Sequence, residues 1–146
     1  MTLATLRTAT AADAEFAYGV LDRTIRVYAE QTFGKWSEAD ARARISRNTA
    51  AGTSSIIMLD GQPIGIMTVD RTGTHLQLEQ LFILPEYQRR GIGSELLEGL
   101  LSEARGRVLP VRLRVLRVNP AKRLYERYGF RVTSEEPERF HMQWAP

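Results

Sequence analysis

The chain contains no cysteine, which removes disulfide frameworks, a thiol nucleophile and any Cys-based zinc site, and fits a reducing compartment. Long apolar runs are missing too: none approaches the ~20 residues of a membrane span. The opening Met1-Thr2-Leu3-Ala4-Thr5-Leu6-Arg7 lacks the basic-then-apolar order of a signal peptide. A cytoplasmic protein without membrane association is the expectation. Lysine is scarce, at Lys35 and Lys122 alone, so nearly all the cations behind the +3 net charge and pI of 9.6 are arginine. Repeats, linkers and low-complexity segments are absent, and the 146 residues suit a single domain spanning 1–146. A chain of this size buries roughly 68–70% of its unfolded surface without disulfides or metals.

The basic residues cluster at Arg89/Arg90, Arg105/Arg107, Arg112/Arg114/Arg117 and Lys122/Arg123. That pattern suits a polyanionic small molecule or nucleic acid. Aromatics do not interleave with the clusters as on a base-stacking platform, which disfavours nucleic acid.

Residues 3–8 alternate weakly as a strand. Thr10 and Asp13 open a first helix running toward Tyr28, and Ser37 and Asp40 cap a second that ends near Gly52. Between them lies an aromatic loop over 30–36. Strand patterns over 55–59 and 63–69 flank Asp60-Gly61, a dipeptide that supplies the positive φ angles of a tight hairpin. After a second turn at Thr72-Gly73, a strand covers 75–84. Ile92, Leu96, Leu97, Leu100, Leu101 and Ala104 recur at helical spacing. A strand over 111–116, a short helix over 119–128, and strands over 130–133 and 139–144 complete the order β-α-α-β-β-β-α-β-α-β-β. An α/β fold follows, with a mixed sheet of six or seven strands and about four helices on both faces.

The most informative stretch is Leu81-Phe82-Ile83-Leu84-Pro85-Glu86-Tyr87-Gln88-Arg89-Arg90-Gly91-Ile92-Gly93-Ser94, where an apolar strand turns into a helix. Two glycines permit close backbone approach, and a helix start offers free N–H groups and a positive dipole end to an anion. A P-loop would need Lys-Ser/Thr after its second glycine, where Ser94-Glu95 stands, and a dinucleotide fingerprint would need a small residue at Leu96. What remains closely resembles the Gln/Arg-x-x-Gly-x-Gly/Ala signature of the GNAT N-acetyltransferase superfamily. A second segment, from Asn119 and Ala121 through Leu124-Tyr125-Glu126 to Gly129-Phe130, is similar to another of that family's motifs.

The resemblance implies acetyl-CoA as co-substrate, no metal, and a small-molecule or peptide/protein amine as acceptor; it makes a homodimer a common state. It implies that the backbone of Leu81, Phe82 and Ile83 pairs with the pantetheine arm, beside a bulge that splays the sheet. Arg89, Arg90, Gly91, Ile92, Gly93 and Ser94 would wrap the pyrophosphate. Asn119 would hydrogen-bond the pantetheine amides, or serve as a helix N-cap before Pro120. Lys122 would reach the adenosine phosphates.

Acetyl transfer to an amine needs a neutral amine, a stabilised oxyanion and a proton for the departing thiolate. Tyr125 matches the family's general acid, and the Ile83 N–H its oxyanion donor. Gln77, Glu79 and Leu81 are expected on one strand face. The resemblance implies a catalytic glutamate at one or two of these positions, and Glu79, the only carboxylate among them, is the candidate base, with ordered water as the alternative and His75 as an assistant. The resemblance implies acceptor recognition by the segment joining the first two helices, which makes Tyr28, Glu30, Phe33 and Trp36 the acceptor-site candidates, with Glu30 attracting a cationic amine; Phe33 and Trp36 equally suit anchoring of the loop. Glu135, Glu136 and Glu138 form an acidic run near the other wall. Without cysteine, direct transfer in a ternary complex is favoured over an acyl-enzyme. A non-catalytic acyl-CoA sensor and a nucleic-acid-binding domain are the alternatives.

Overall fold

The computed structural model describes residues 4–146, so Leu3 of the first expected strand lies outside the described residues. Seven strands form one sheet in the order β1-β2-β3-β4-β5-β7-β6. They are β1 (Thr5–Thr8), β2 (Ser54–Leu59), β3 (Gln62–Arg71), β4 (Leu76–Ile83), β5 (Val111–Leu116), β6 (Arg131–Glu135) and β7 (Arg139–Trp144). Pairing is antiparallel throughout except between β4 and β5, which run parallel. Asp60 (φ 51°) and Gly61 (φ 77°) supply the positive angles of the β2–β3 turn.

Five α-helices cover the sheet: α1 (Ala14–Arg23), α2 (Arg26–Phe33), α3 (Glu38–Ala51), α4 (Ile92–Arg107) and α5 (Lys122–Arg127). Ala17, Val20 and Leu21 of α1 and Ala41 and Ile45 of α3 pack with Ile56 and Ile66 as one core. Leu97, Leu100, Leu101 and Ala104 of α4 join Tyr125 of α5 in a second core built on Ile57, Ile64 and Leu113. These two cores lie on opposite faces of the sheet. Each fully buried leucine or isoleucine contributes roughly 1.5–3 kcal/mol through its burial.

The single first helix expected toward Tyr28 is two helices. Thr24 leaves helical geometry (φ −125°, ψ −80°), and its hydroxyl donates to the Val20 carbonyl at 2.6 Å, so the local hydroxyl bond accompanies the break. The helix then resumes as α2 and absorbs Glu30 to Phe33. The aromatic loop therefore shrinks to the few residues from Gly34 (φ 76°), which stops α2, to Ser37, whose Oγ accepts the Asp40 N–H at 3.1 Å and starts α3. At the other end of the chain α5 begins at Lys122 rather than at Asn119.

Close packing of β3 on β4 depends on one glycine. A Cβ at Gly65 would stand 2.3 Å from the Phe82 carbonyl oxygen and 3.0 Å from the Ile83 Cα, so only a bare backbone fits between these strands.

Candidate active site

β4 and β5 pair over three residues only, Leu76 with Val111, Gln77 with Arg112 and Leu78 with Leu113. From Glu79 onward β4 has no partner on that side, so the sheet opens as a wedge. The opening coincides with a bulge. Thr68 of β3 faces Gln80 while its neighbour Val69 faces Leu78, which leaves Glu79 as the extra, exposed residue of β4.

This bulge corrects the expectation that Gln77, Glu79 and Leu81 share a strand face. Leu78 and Leu81 both pack toward the α4 core, while Phe82 packs toward the α1/α3 core. The inserted residue reverses the phase of the strand, which alternation alone does not reveal. Gln80, 5% exposed, joins a polar cluster in which the Thr68 hydroxyl lies 2.6 Å from Gln80 Oε1 and 3.2 Å from Ser54 Oγ.

A cleft of about 700 Å³ occupies the wedge. Glu79, Leu81, Phe82, Asn119 and Tyr125 line it from the sheet and from α5, and Phe33 and Trp36 line it from the α2–α3 side. Tyr28, Glu30, Ile83 and Lys122 do not line it. Glu30 pairs with Arg26 at 3.6 Å, and Trp36 Nε1 donates to the Tyr18 hydroxyl at 3.0 Å, so Trp36 is both anchored and exposed to the cleft.

Tyr125 is buried to 8% exposure and meets Phe130 edge-on at 5.6 Å. Burial pushes its hydroxyl up to about 12, so the phenol keeps its proton throughout the neutral range. Asn119 Oδ1 accepts the Ala121 N–H at 2.9 Å, forming an Asx turn ahead of α5. Its side-chain amide NH2 has no hydrogen-bond partner among the described residues.

At the end of β4, Gly91 (φ 80°) caps α4, and Glu95 is the first residue to reach back, to the Gly91 carbonyl at 3.0 Å. The amides of Ile92, Gly93 and Ser94 have no hydrogen-bond partner among the described residues. With the dipole of a 16-residue helix behind them and exposed Arg89 and Arg90 beside them, they form an anion-binding turn. The loop is braced from both sides. Gln88 Nε2 donates to the Ile83 carbonyl at 2.8 Å, and Arg23 of α1 forms a two-pronged pair with Glu86 at 2.6 and 2.9 Å. Both partners of that pair are half-exposed, so it positions the loop more than it stabilises the fold. Lys122 pairs with Glu126 at 3.5 Å and lies 4.6 Å from the centre of the Phe140 ring.

An open strand edge between β4 and β5, followed by unpaired helix N–H groups, fits an extended arm ending in phosphates. A family model of the acetyltransferase (GNAT) domain matches residues 21–146. The chain belongs to the GNAT acetyltransferase family. A curated relative, the uncharacterized N-acetyltransferase YafP of Escherichia coli (strain K12), is 26% identical over 109 residues, 75% of this chain. The chain matches only 65% of that relative's length. Among solved structures, the PaiA N-acetyltransferase of Thermoplasma acidophilum, in complex with coenzyme A, is 20% identical with a TM-score of 0.76, and 99% of each chain is covered. An acetyltransferase from Thermus thermophilus is 19% identical with a TM-score of 0.80, covering 100% of both chains. Arabidopsis thaliana Naa50, in complex with the bisubstrate analogue CoA-Ac-MVNAL, is 16% identical with a TM-score of 0.71, covering 98% of this chain and 99% of the other. At these identities the structural likeness carries the fold alone. It is the mixed, mostly antiparallel GNAT sheet with helices on both faces.

Among the described residues no cluster of His, Asp and Glu could hold a metal ion, and no helix is long and apolar enough to cross a membrane. Several residues that line the cleft escaped the sequence reading: Gln80, Lys35, Arg44, Arg47 and Arg139. The two on α3 carried no distinct signal among so many arginines. Arg44 and Arg47 stand three apart, a like-charge pair that helix stability disfavours.

Proposed function

We propose that this GNAT protein transfers the acetyl group of acetyl-CoA directly to a primary amine within a ternary complex. The observation that carries the reading is the wedge itself: β4 loses its partner at Glu79, and Tyr125 closes the cleft that results. The unpaired β4 backbone at Leu81, Phe82 and Ile83 takes the pantetheine arm as an added strand would, and the amide NH2 of Asn119 meets an arm carbonyl from the other side. Arg89, Arg90, Gly91, Ile92, Gly93 and Ser94 hold the pyrophosphate, with Lys122 at the periphery of the adenosine phosphates.

Glu79, exposed at the bulge, accepts the proton of the incoming ammonium, directly or through water. The amine nitrogen then attacks the thioester carbon, and the Ile83 N–H stabilises the oxyanion that forms. As the carbon–sulfur bond breaks, the Tyr125 hydroxyl hydrogen-bonds to the leaving sulfur, and the second proton shed by the nitrogen passes to that sulfur through Tyr125 or water, so that the thiol and the amide leave neutral. A phenol pushed up to about 12 is a reliable hydrogen-bond donor to that thiolate and never a competing anion at neutral pH. Phe33 and Trp36 wall the acceptor end, with Tyr28 and Glu30 behind them on α2.

Two measurements test this. Acetyl-CoA at ~100 times its Kd should raise folding stability by ~2.7 kcal/mol in a thermal-shift experiment, and thiol release should depend on added amine. Binding without amine-dependent thiol release would mark a non-catalytic acyl-CoA sensor, and no binding would overturn the reading.

A further inference from the structure

The lining of the cleft carries more cations than carboxylates. It includes Lys35, Arg44, Arg47, Arg114 and Arg139 against only two carboxylates, Asp40 and Glu79. If Glu79 serves as base, Asp40 alone is left to greet a cation.

The state of the arginines on α3 sharpens this. Arg42 is taken up by Glu38 at 2.9 Å and Glu15 at 3.2 Å. Arg44 and Arg47, one turn apart on the cleft side of the same helix, have no carboxylate within ion-pair reach among the described residues, although like charges close together on a helix cost stability. One turn after Arg44, Asn48 approaches Gln80 at 3.5 Å, which fixes this part of α3 over the bulge of β4. Gln80 supplies an independent sign. Its Oε1 is occupied by Thr68 and Asn48, while its Nε2, in a residue 5% exposed that lines the cleft, has no partner among the described residues. α3 packs on the face opposite α4, so these donors stand across the sheet from the phosphate-binding turn.

We infer that the acceptor is a small amine bearing an anionic group, a carboxylate or phosphate, which Arg44 and Arg47 bind while its nitrogen reaches Glu79. The inference rests on the acetyltransferase reading and names its substrate class. Guanidinium forks match both oxyanions in two-pronged fashion, and a cleft of one sign concentrates the oppositely charged substrate. A diamine would meet repulsion in the same place.

The test compares amines that differ in the remote group: 4-aminobutyrate with 4-aminobutyramide and 1,4-diaminobutane, and 2-aminoethyl phosphate with ethanolamine. At least a tenfold higher kcat/KM is expected for an anionic member over its neutral match, and which pair shows it separates carboxylate from phosphate. In the Arg44→Gln/Arg47→Gln variant the preference should collapse through KM, with the acetyl-CoA thermal shift retained. An Arg127→Gln/Arg131→Gln variant, which removes the same charge elsewhere, should keep the preference. Equal rates within each pair, or a preference for the diamine, overturn the inference while leaving the acetyltransferase reading intact. Calorimetric titration of the CoA-bound protein with the same amines reads acceptor binding without turnover. Absence of binding by both anionic amines there also overturns the inference, whereas absent thiol release with binding present counts against the reaction alone.

Discussion

Leu78 pairs with Leu113, and it is the last residue of β4 to touch β5. The next residue, Glu79, is the one that β3 leaves unmatched. Loss of the partner strand and insertion of the bulge therefore fall at the same point, and together they turn a carboxylate outward at the apex of the wedge. Such a residue is not placed there for sheet stability, since an exposed bulge position contributes little packing.

Glu79→Gln should accordingly leave stability within about 0.5 kcal/mol, as for ordinary surface changes. Its effect should fall on turnover, with a drop of about 100-fold for a general base. Steady-state kinetics over a range of pH read both kcat and the shape of the acidic limb. An unaltered profile would remove Glu79 as base and leave ordered water in the role.

Tyr125→Phe removes one oxygen from a ring that is otherwise held by Phe130 and the α4 core. The fold should survive, because that hydroxyl has no hydrogen-bond partner among the described residues to lose. Turnover should fall at least tenfold with little change in the acetyl-CoA KM, the pattern of an interaction made mainly in the transition state. Retention of turnover within a factor of two would show that the hydroxyl is a packed aromatic's tail and nothing more.

How much of this was legible in the sequence depended on whether the signal was local. The hairpin at Asp60-Gly61, the Ser37 cap and the glycine turn at Gly91 are local devices, and each stands where the residues place it. The resemblance implied a bulge near the end of β4, but its position at Glu79 was not legible, because an inserted residue is defined by the partner strand rather than by the chain that carries it. The split at Thr24 was equally hidden, since a threonine in a helical pattern gives no sign of which carbonyl its hydroxyl will choose. Arg44 and Arg47 were missed for a third reason. Arginine is so common in this chain that two more carried no signal until α3 was seen to lie over the cleft.

Gly65→Ala tests the close approach of β3 and β4. The added methyl would meet the Phe82 carbonyl oxygen at 2.3 Å, and a backbone atom cannot swing aside as a side-chain end can. Overpacking of this kind costs about 1–3 kcal/mol, and a chain of this size loses roughly 2–4 °C of Tm per kcal/mol. Gly73→Ala, where a Cβ meets nothing within 4 Å, is the matched control and should barely move the transition. Since Phe82 lies on the strand that borders the cleft, Gly65→Ala should also weaken acetyl-CoA binding, which the same melting experiment reads with and without ligand.

Asp13 gives a prediction about acid stability. Arg7 donates to both of its oxygens at 2.9 Å and the Thr10 N–H donates at 2.8 Å, so its carboxyl is held at about 2, below the ordinary 3.8, chiefly by the Arg7 hydrogen bonds. A depressed carboxylate stabilises the fold in its ionised form. The contribution is therefore complete above 3.8 and fades as the pH falls toward 2. Arg7 is 45% exposed, so solvent screening reduces the value to about 1 kcal/mol. Asp13→Asn should thus unfold more readily than the parent at pH 7, by about that amount in urea. The gap should close between pH 4 and pH 2, because protonation makes the parent resemble the variant. A gap that persisted at pH 2 would mean that the cost lies in lost packing at the start of α1, not in the charge.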